Sequence, residues 1–369
     1  MTSDSTATLL LAGDVMTGRG VDQALRHHAP PQLYEPHVDD AREYLRLVEA
    51  ANGPIGTPLA PHEPWGAALA QLLAPDVDAR VVNLETAVTA GGAPWPRKGI
   101  HYRMHPANVD VLTAARVDVC TLANNHVLDW GRDALRETLA TLHAAGIATA
   151  GAGGDAEAAW RPAAVDLGGG RRLLVFGLAT DDSGVPADWA AAGHRSGVAR
   201  LPDLSPSSAQ RVAECVQRHR RAGDLVVVSI HWGGNWVPAV PQAQRAFARQ
   251  LVDLGVADVV HGHSAHHPLP VELYAGHAIL HGCGDLINDY EGIGGRGPWR
   301  HDVALLWRLQ LDPVSGRLRR LDAWPLRRRR LRLQPADADA VDALRRLLQP
   351  EAAAGWRDGA DGGWTLVPA

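Results

Sequence analysis

Cysteine is scarce in this chain: Cys120, Cys215 and Cys283 lie far apart and never in a CxxC spacing. That argues against a disulfide framework and a thiolate metal site, and predicts reduced thiols in a cytoplasmic protein. Each cysteine reads as core filler rather than nucleophile. Long apolar runs are missing too. The stretch from Thr8 to Ala12 is too short for a membrane span and follows no basic segment, so neither a signal peptide nor a membrane partner is expected. No excess of one charge sign exists either: 36 basic and 41 acidic side chains are interspersed, with a net charge of −5, which argues against nucleic-acid binding. The one basic run, Arg327 to Arg330 with Arg332, falls in an alternating stretch and reads as a solvated strand or strand exit, anion binding being the alternative. Internal repeats and low-complexity tracts are absent, and nothing in the sequence sets an oligomeric state.

What is present suits a globular fold. The chain has 369 residues and 46% hydrophobic content, ample for a large core. Tryptophan is common, 12 residues against 2 phenylalanines, and Trp130, Trp232, Trp236 and Trp299 fall beside polar motifs. They read as core or rim residues, or as an aromatic pocket for substrate.

Apolar runs alternate with helical spacing along the chain, and one strand after another ends in a residue able to bind metal or move a proton. Thr8 to Ala12 runs into Gly13-Asp14, and Ala79 to Glu85 ends in Glu85. Val117 to Ala123 delivers Asn124, Asn125, His126 and Asp129. Asp224 to His231 ends in His231, Ala257 onward supplies His261, His263, His266 and His267, and Ala278 to Tyr290 carries His281, Asp285 and Asp289. Helices are expected at Trp65 to Leu73, 132–145, 205–222 and 241–254, with hairpin-like strands at His301 to Leu311 and Arg317 to Trp324. This order predicts a layered α/β sandwich whose site lies beyond the strand ends. Residues 1–334 read as one domain, with a Pro- and His-rich insertion or lid at about 26–62; residues 335–369 read as a C-terminal helix and tail.

Any single histidine here is more often structural than functional, and the Asn-rich turn at Asn124-Asn125 alone could simply cap a helix. Five strand ends that finish in Asp14, Glu85, Asn125-His126, His231 and His263-x-x-His266 are together improbable by chance. Oxygen and imidazole donors without thiolate suit Mn, Fe, Zn, Ca or Mg, as one or two ions. The irregular segment 94–105 carries Arg97, Lys98, His101, Arg103 and His105, which reads as a surface loop or a cationic grip on an anionic substrate.

The series GDVM (13–16), NLE (83–85), ANNH (123–126), HWG (231–233), GHSxH (262–266) and GCGDLINDY (282–290) resembles the CapA, or poly-γ-glutamate capsule-synthesis, family of the calcineurin-like metallophosphatase superfamily. The resemblance implies a four-layer αββα sandwich of α/β class with a divalent metal at the strand ends. It implies Asp14, Glu85, Asn125, His231, His263 and His266 as metal ligands, and His126 with Asp129 as an acid/base residue. Three positions depart from the pattern. Met16 stands where the superfamily has a histidine, Glu85 where it has an aspartate, and Asn235 where many CapA-like proteins have a glutamate.

The weakened first motif argues against a strong phosphoesterase. Some members of this branch resemble peptide epimerases acting on ribosomally made peptides of the lasso-precursor type, and that activity is the first expectation here. Inverting an α-carbon requires two acid/base groups on opposite faces and positive charge to hold the enolate. His126 with Asp129 would be one pair; His266, or another of His231, His263 and His267, with Asp14, Asp285 or Asp289 would be the other. Arg97, Lys98 and Arg103 would hold a peptide's carboxylate, and Trp232 and Trp236 its side chain. A metal-dependent hydrolase and a non-catalytic binding module are the alternatives.

Overall fold

The computed structural model describes residues 6–293, 300–348, 355–359 and 362–368; Trp299 lies outside them. Side-chain alternation decides the layering. Every residue of the strand Ala7–Val15 is buried. Leu9 and Leu11 join an apolar cluster with Val81, Val119, Val175, Val227 and Val259, whereas Leu10 and Ala12 join another with Val82, Cys120, Leu135 and Leu142. A strand buried on both faces with a period of two needs a partner layer on each side. Here one partner is a second sheet and the other is helical. The second sheet repeats the logic: Val227 faces the first sheet, while Val226, Val228 and Ile230 pack on Val212, Val216, Phe247 and Leu251 of the helices Pro206–His219 and Gln242–Asp253. The fold is a four-layer αββα sandwich.

Among the described residues the first sheet runs Arg357–Asp358, Trp364–Leu366, Leu318–Arg329, Val303–Leu311, Ala7–Val15, Ala79–Leu84, Val119–Thr121 and Ala148–Ala150. The last four strands are parallel, and Asp285–Ile287 adds alongside the end of Ala7–Val15. The second sheet runs Val271–Tyr274, His277–Leu280, Val259–His263, Leu225–His231, Arg171–Ala179 and Ala163–Gly168. Its four inner strands are also parallel. The carboxyl ends of both parallel sets therefore open toward one edge of the sandwich.

Three local features differ from the sequence reading or refine it. The helix expected over Trp65 to Leu73 is a 3-10 segment, Glu63–Ala68, followed by a short helix, Leu69–Leu72. Gly66 breaks it with φ 42°, and a Cβ there would lie 2.0 Å from the Leu333 carbonyl oxygen. In the basic run, Arg329 and Arg330 are exposed as expected, but Arg328 turns inward and donates to the carbonyls of Asp285 (2.5 Å) and Val303 (2.7 Å). Residues 26–62 contain the helix Arg42–Asn52 and are tied to the core where Glu35 accepts from Arg19 Nη1 at 3.0 Å. The helix Ala338–Leu348 buries Ala340, Leu344 and Leu348 against the inter-sheet core, and Trp364–Leu366 pairs with Leu321–Ala323. No helix among the described residues is long and apolar enough to cross a membrane.

Candidate metal and acid–base site

The convergence begins at Asp14. The strand Asp285–Ile287 approaches it so closely that a Cβ on Gly13 would lie 1.8 Å from the Gly284 carbonyl oxygen, which accepts from Asp14 N–H at 3.1 Å. Glycine is thus required for two carboxylates, Asp14 and Asp285, to stand side by side in register. Asp14 Oδ1 accepts from Asn83 Nδ2 at 2.7 Å, and Oδ2 from the Ser264 amide at 3.2 Å. Ser264 and His266 both hold positive φ, 96° and 62°, unusual for residues with a side chain. This backbone turns one amide onto Asp14 and the His266 ring toward the same cluster.

On the second sheet His231 and His263 end adjacent strands in register, and their Nδ1 atoms lie 2.8 Å apart. Asp14 Oδ1 is 4.0 Å from the first and 3.8 Å from the second. Asn125 Oδ1 lies 3.2 Å from His231 Nε2. Glu85 follows the strand Ala79–Leu84; its Oε1 is 3.8 Å from His126 Nε2 and 3.9 Å from His231 Nε2, and neither of its buried oxygens has a hydrogen-bond partner. Donor atoms of Asp14, His231 and His263, and likewise of Asp14, Glu85 and His266, lie within 4.8 Å of one another.

Two imidazoles are each paired with a carboxylate. His126 Nδ1 lies 2.6 Å from Asp129 Oδ2, whose carboxylate also receives the Tyr102 amide at 2.6 Å and Lys98 Nζ at 2.8 Å. His266 Nδ1 lies 2.8 Å from Asp285 Oδ1, while Asn288 Nδ2 donates to Asp285 Oδ2 at 2.7 Å. Tyr102 stands edge-on to His126 with centroids 4.5 Å apart, Tyr290 edge-on to His266 at 5.7 Å, and the two hydroxyls are 3.4 Å apart. Arg19 lies over both tyrosine rings and is clasped by Asp289.

The electrostatics follow from burial. Desolvation, then the charge of Asp285, pushes Asp14 up to about 7. Burial and the facing Asp14 push Glu85 well above the carboxylate range. Asp129 rises to about 6 through burial, Lys98 holding it lower than it would otherwise be. Burial depresses His126, His231 and His263 well below the usual imidazole value, and Lys98 depresses His126 further.

The structure brings together Asp14, Glu85, Asn125, His126, Asp129, His231, His263 and His266. Other expected residues lie differently. The Asp289 carboxylate is taken by Arg19 and by the Gly20 amide at 2.8 Å and pairs with no imidazole among the described residues; the partner of His266 is Asp285. Arg103 stacks on Trp130 at 3.6 Å and donates to the Pro30 carbonyl, leaving it turned away from the cluster. Arg97 is exposed. Lys98 is spent on Asp129 and the Ile100 carbonyl. Trp232 belongs to the core under the second sheet, its indole donating to the His281 carbonyl at 2.9 Å. Trp236 does reach the rim, stacked on His266 and His267 at 5.5 and 5.8 Å. Sequence reasoning missed Asn83, Tyr102 and Arg19. Asn83 sits inside the NLE motif and Arg19 just past GDVM, which were the available signals.

The donor set fits a divalent cation. A buried carboxylate with no hydrogen-bond partner is an unmet demand for positive charge, and Glu85 makes that demand beside Asp14 and three imidazoles. Asp14, His231 and His263 would hold one ion, and Asp14, Glu85 and His266 form a second group of donors beside it. The Met16 thioether, at the position where the resemblance led to the expectation of a histidine, accepts from Tyr290 Oη at 3.6 Å and packs with Tyr102.

The profile of the family described as "Bacterial capsule synthesis protein PGA_cap" matches residues 8–290. A probable polyglutamine synthesis accessory protein of Mycobacterium tuberculosis is 48% identical over 343 residues, 93% of this chain and 90% of that protein. The PGA biosynthesis protein CapA of Bacillus subtilis is 29% identical over 192 residues, 52% of this chain and 48% of that protein. A solved phosphatase structure from Mycoplasma pneumoniae aligns with a TM-score of 0.45 at 12% identity, covering 92% of this chain and 97% of that one.

Proposed function

The chain belongs to the bacterial capsule synthesis protein family, and on that premise we propose that it is an acid–base enzyme inverting an α-carbon in a peptide-type polymer by proton exchange. One observation carries the reading: two histidines, each oriented by its own carboxylate, approach the same buried Glu85 from different strand ends. With Nδ1 of each ring committed to a carboxylate, Nε2 is the nitrogen that exchanges protons.

The surroundings divide the roles. His126, beside the Lys98 ammonium, is the neutral base that takes the Cα proton. His266, among Asp285, Asp14 and Glu85, is the acid that returns a proton to the opposite face. The bond broken is Cα–H, the bond formed is Cα–H on the other face, and solvent resets the two imidazoles. A divalent cation bound by Asp14, His231 and His263 would supply the positive charge that stabilises an enolate. Trp236 forms an apolar wall on the His266 side.

The names of the relatives, polyglutamine synthesis and PGA biosynthesis, point to polymers of glutamine or glutamate as the first substrates to test, with ribosomally made peptides of the lasso-precursor type beside them. The test is incubation with γ-linked oligoglutamate and with such peptides in D2O, with and without added Mn²⁺ or Zn²⁺, followed by mass spectrometry and chiral analysis. Uptake of one deuterium per inverted residue, without change in chain length, is expected.

The donor cluster around Asp14 supports a second reading, a metal-dependent hydrolase. Chelator-sensitive phosphate release or chain shortening, with no deuterium at Cα, would replace the first reading with this one.

A further inference from the structure

Behind the donor cluster, His263, Ser229 and His261 form one hydrogen-bonded chain that ends on the Ala12 carbonyl. His263 Nδ1 faces His231 Nδ1 at 2.8 Å, and its Nε2 lies 2.9 Å from Ser229 Oγ. Ser229 Oγ is 3.0 Å from His261 Nδ1, and His261 Nε2 is 2.9 Å from the Ala12 carbonyl oxygen. His231, Ser229 and His261 have no solvent exposure, and His263 has 1%.

The protons can be placed from the far end. A carbonyl only accepts, so His261 Nε2 carries a hydrogen. Protonating Nδ1 as well would bury a charge between the sheets, and no carboxylate forms an ion pair with His261 among the described residues. Such a charge is strongly disfavoured. Neutral His261 therefore accepts at Nδ1, and the single Ser229 hydroxyl proton goes there. Thr121 Oγ1, at 3.3 Å, is the more distant acceptor, and giving it that proton would leave His261 Nδ1 with none. Ser229 Oγ must then accept from His263 Nε2, which leaves the lone pair of neutral His263 on Nδ1.

The opposite side is oriented as well. Asn83 Oδ1 accepts from Asn124 Nδ2 at 3.1 Å, so its amide nitrogen faces Asp14 Oδ1 at 2.7 Å and His231 Nδ1 at 3.4 Å. An amide N–H directed at His231 Nδ1 marks that nitrogen as an acceptor too. Two imidazole lone pairs thus face each other beside a carboxylate.

We infer that Ser229 and His261 are positioning residues that lock His263 in its Nε2–H tautomer, so that His231 Nδ1 and His263 Nδ1 receive a divalent cation together with Asp14. The inference does not depend on which reaction the site performs. Hydrogen-bonded partners of this kind commonly change metal affinity ten- to a hundredfold.

Long-range ¹⁵N–¹H correlation spectra of the chelator-treated full chain read histidine tautomers directly, with His263 assigned by its loss in His263→Gln. His261 and His263 are both expected as Nε2–H forms. Ser229→Ala should mix the His263 tautomers and weaken Zn²⁺ binding, measured by competition with a chromophoric chelator, by about ten- to a hundredfold. Ser229→Thr, which keeps the hydroxyl, should restore both. An Nδ1–H form of His263 in the native sequence overturns the inference. So does a folded Ser229→Ala with unchanged tautomer and affinity, or a native chain that takes up no Zn²⁺. Should Ser229→Ala not fold, the native spectrum decides.

Discussion

Lys98 Nζ lies 2.8 Å from Asp129 Oδ1 and 3.2 Å from His126 Nδ1, and Lys98 is the only lysine in the chain. Its ammonium balances the buried Asp129 carboxylate and disfavours a second positive charge on His126. Its position in the fold is thus beside the His126–Asp129 pair. Lys98→Met is therefore expected to slow deuterium exchange by about a hundredfold, the scale of a disturbed general base, with Lys98→Arg intermediate. Unchanged exchange in Lys98→Met would show that Asp129 orients His126 unaided.

The two histidines make separable predictions. If His126 serves one face of the α-carbon and His266 the other, His126→Gln should abolish Cα exchange from one enantiomer and His266→Gln from its mirror image. Asp129→Asn and Asp285→Asn should each reduce inversion by about 10²- to 10⁴-fold while leaving the fold intact. Chiral analysis of each starting enantiomer in D2O reads this out. Loss of both directions in either histidine variant would point to one-base chemistry.

Metal binding should be visible in stability. An ion that binds only the folded chain adds about 2.7 kcal/mol at a hundredfold excess over its Kd. Adding Mn²⁺ or Zn²⁺ should raise the Tm of the native protein, and Asp14→Asn should remove most of that rise because Asp14 belongs to both donor groups. Equal shifts in the two proteins, followed by calorimetry, would place the ion elsewhere.

Acid stability should depend on Glu272, which pairs with His281 at 3.1 Å, Arg245 at 2.7 Å and Arg249 at 2.5 Å. Burial raises its carboxyl, but the His281 and Arg249 hydrogen bonds outweigh that and hold it at about 2, against an ordinary value of 4.5. Because the folded value lies below the unfolded one, this stabilisation is complete above pH 4.5 and is lost as pH falls toward 2. Glu272→Gln should flatten the Tm-versus-pH slope in that window. An unchanged slope would mean that other carboxylates govern acid unfolding.

Arg19 is buried between Asp289 and Glu35, with side-chain exposures of 2%, 0% and 7%. Removing one member of a buried pair leaves the other charge uncompensated, typically at a cost of about 3–5 kcal/mol. Arg19→Met should lose stability on that scale in urea unfolding and loosen residues 26–62 toward proteases. A loss under about 1 kcal/mol, the surface-pair scale, would mean that water reaches the cluster.

Several readings needed nothing beyond local sequence. The run Asp224 to His231 is apolar enough that only burial on both faces accommodates it, and a histidine at its end must emerge at the sheet edge. The same holds for Asp14 and His263. A layered α/β sandwich and the convergence of ligand-type residues were legible for this reason, whereas the four-layer αββα arrangement was expected from the family resemblance. The Asp285 partnership was not, because Asp285 and Asp289 lie four residues apart in one motif and either could face an imidazole. Gly13 decides the matter by letting the strand of Asp285 approach Asp14, while Arg19, 270 residues away from Asp289 in sequence, takes that second carboxylate.

Local sequence therefore determined which residues stand at strand ends, since strand periodicity and burial are short-range properties. Only the tertiary structure decided which imidazole meets which carboxylate, that Trp232 lies in the core while Trp236 reaches the rim, and where the protons of the Ser229–His261 chain reside. Those depend on contacts of a few ångströms between elements far apart in the chain, whose geometry no local pattern encodes.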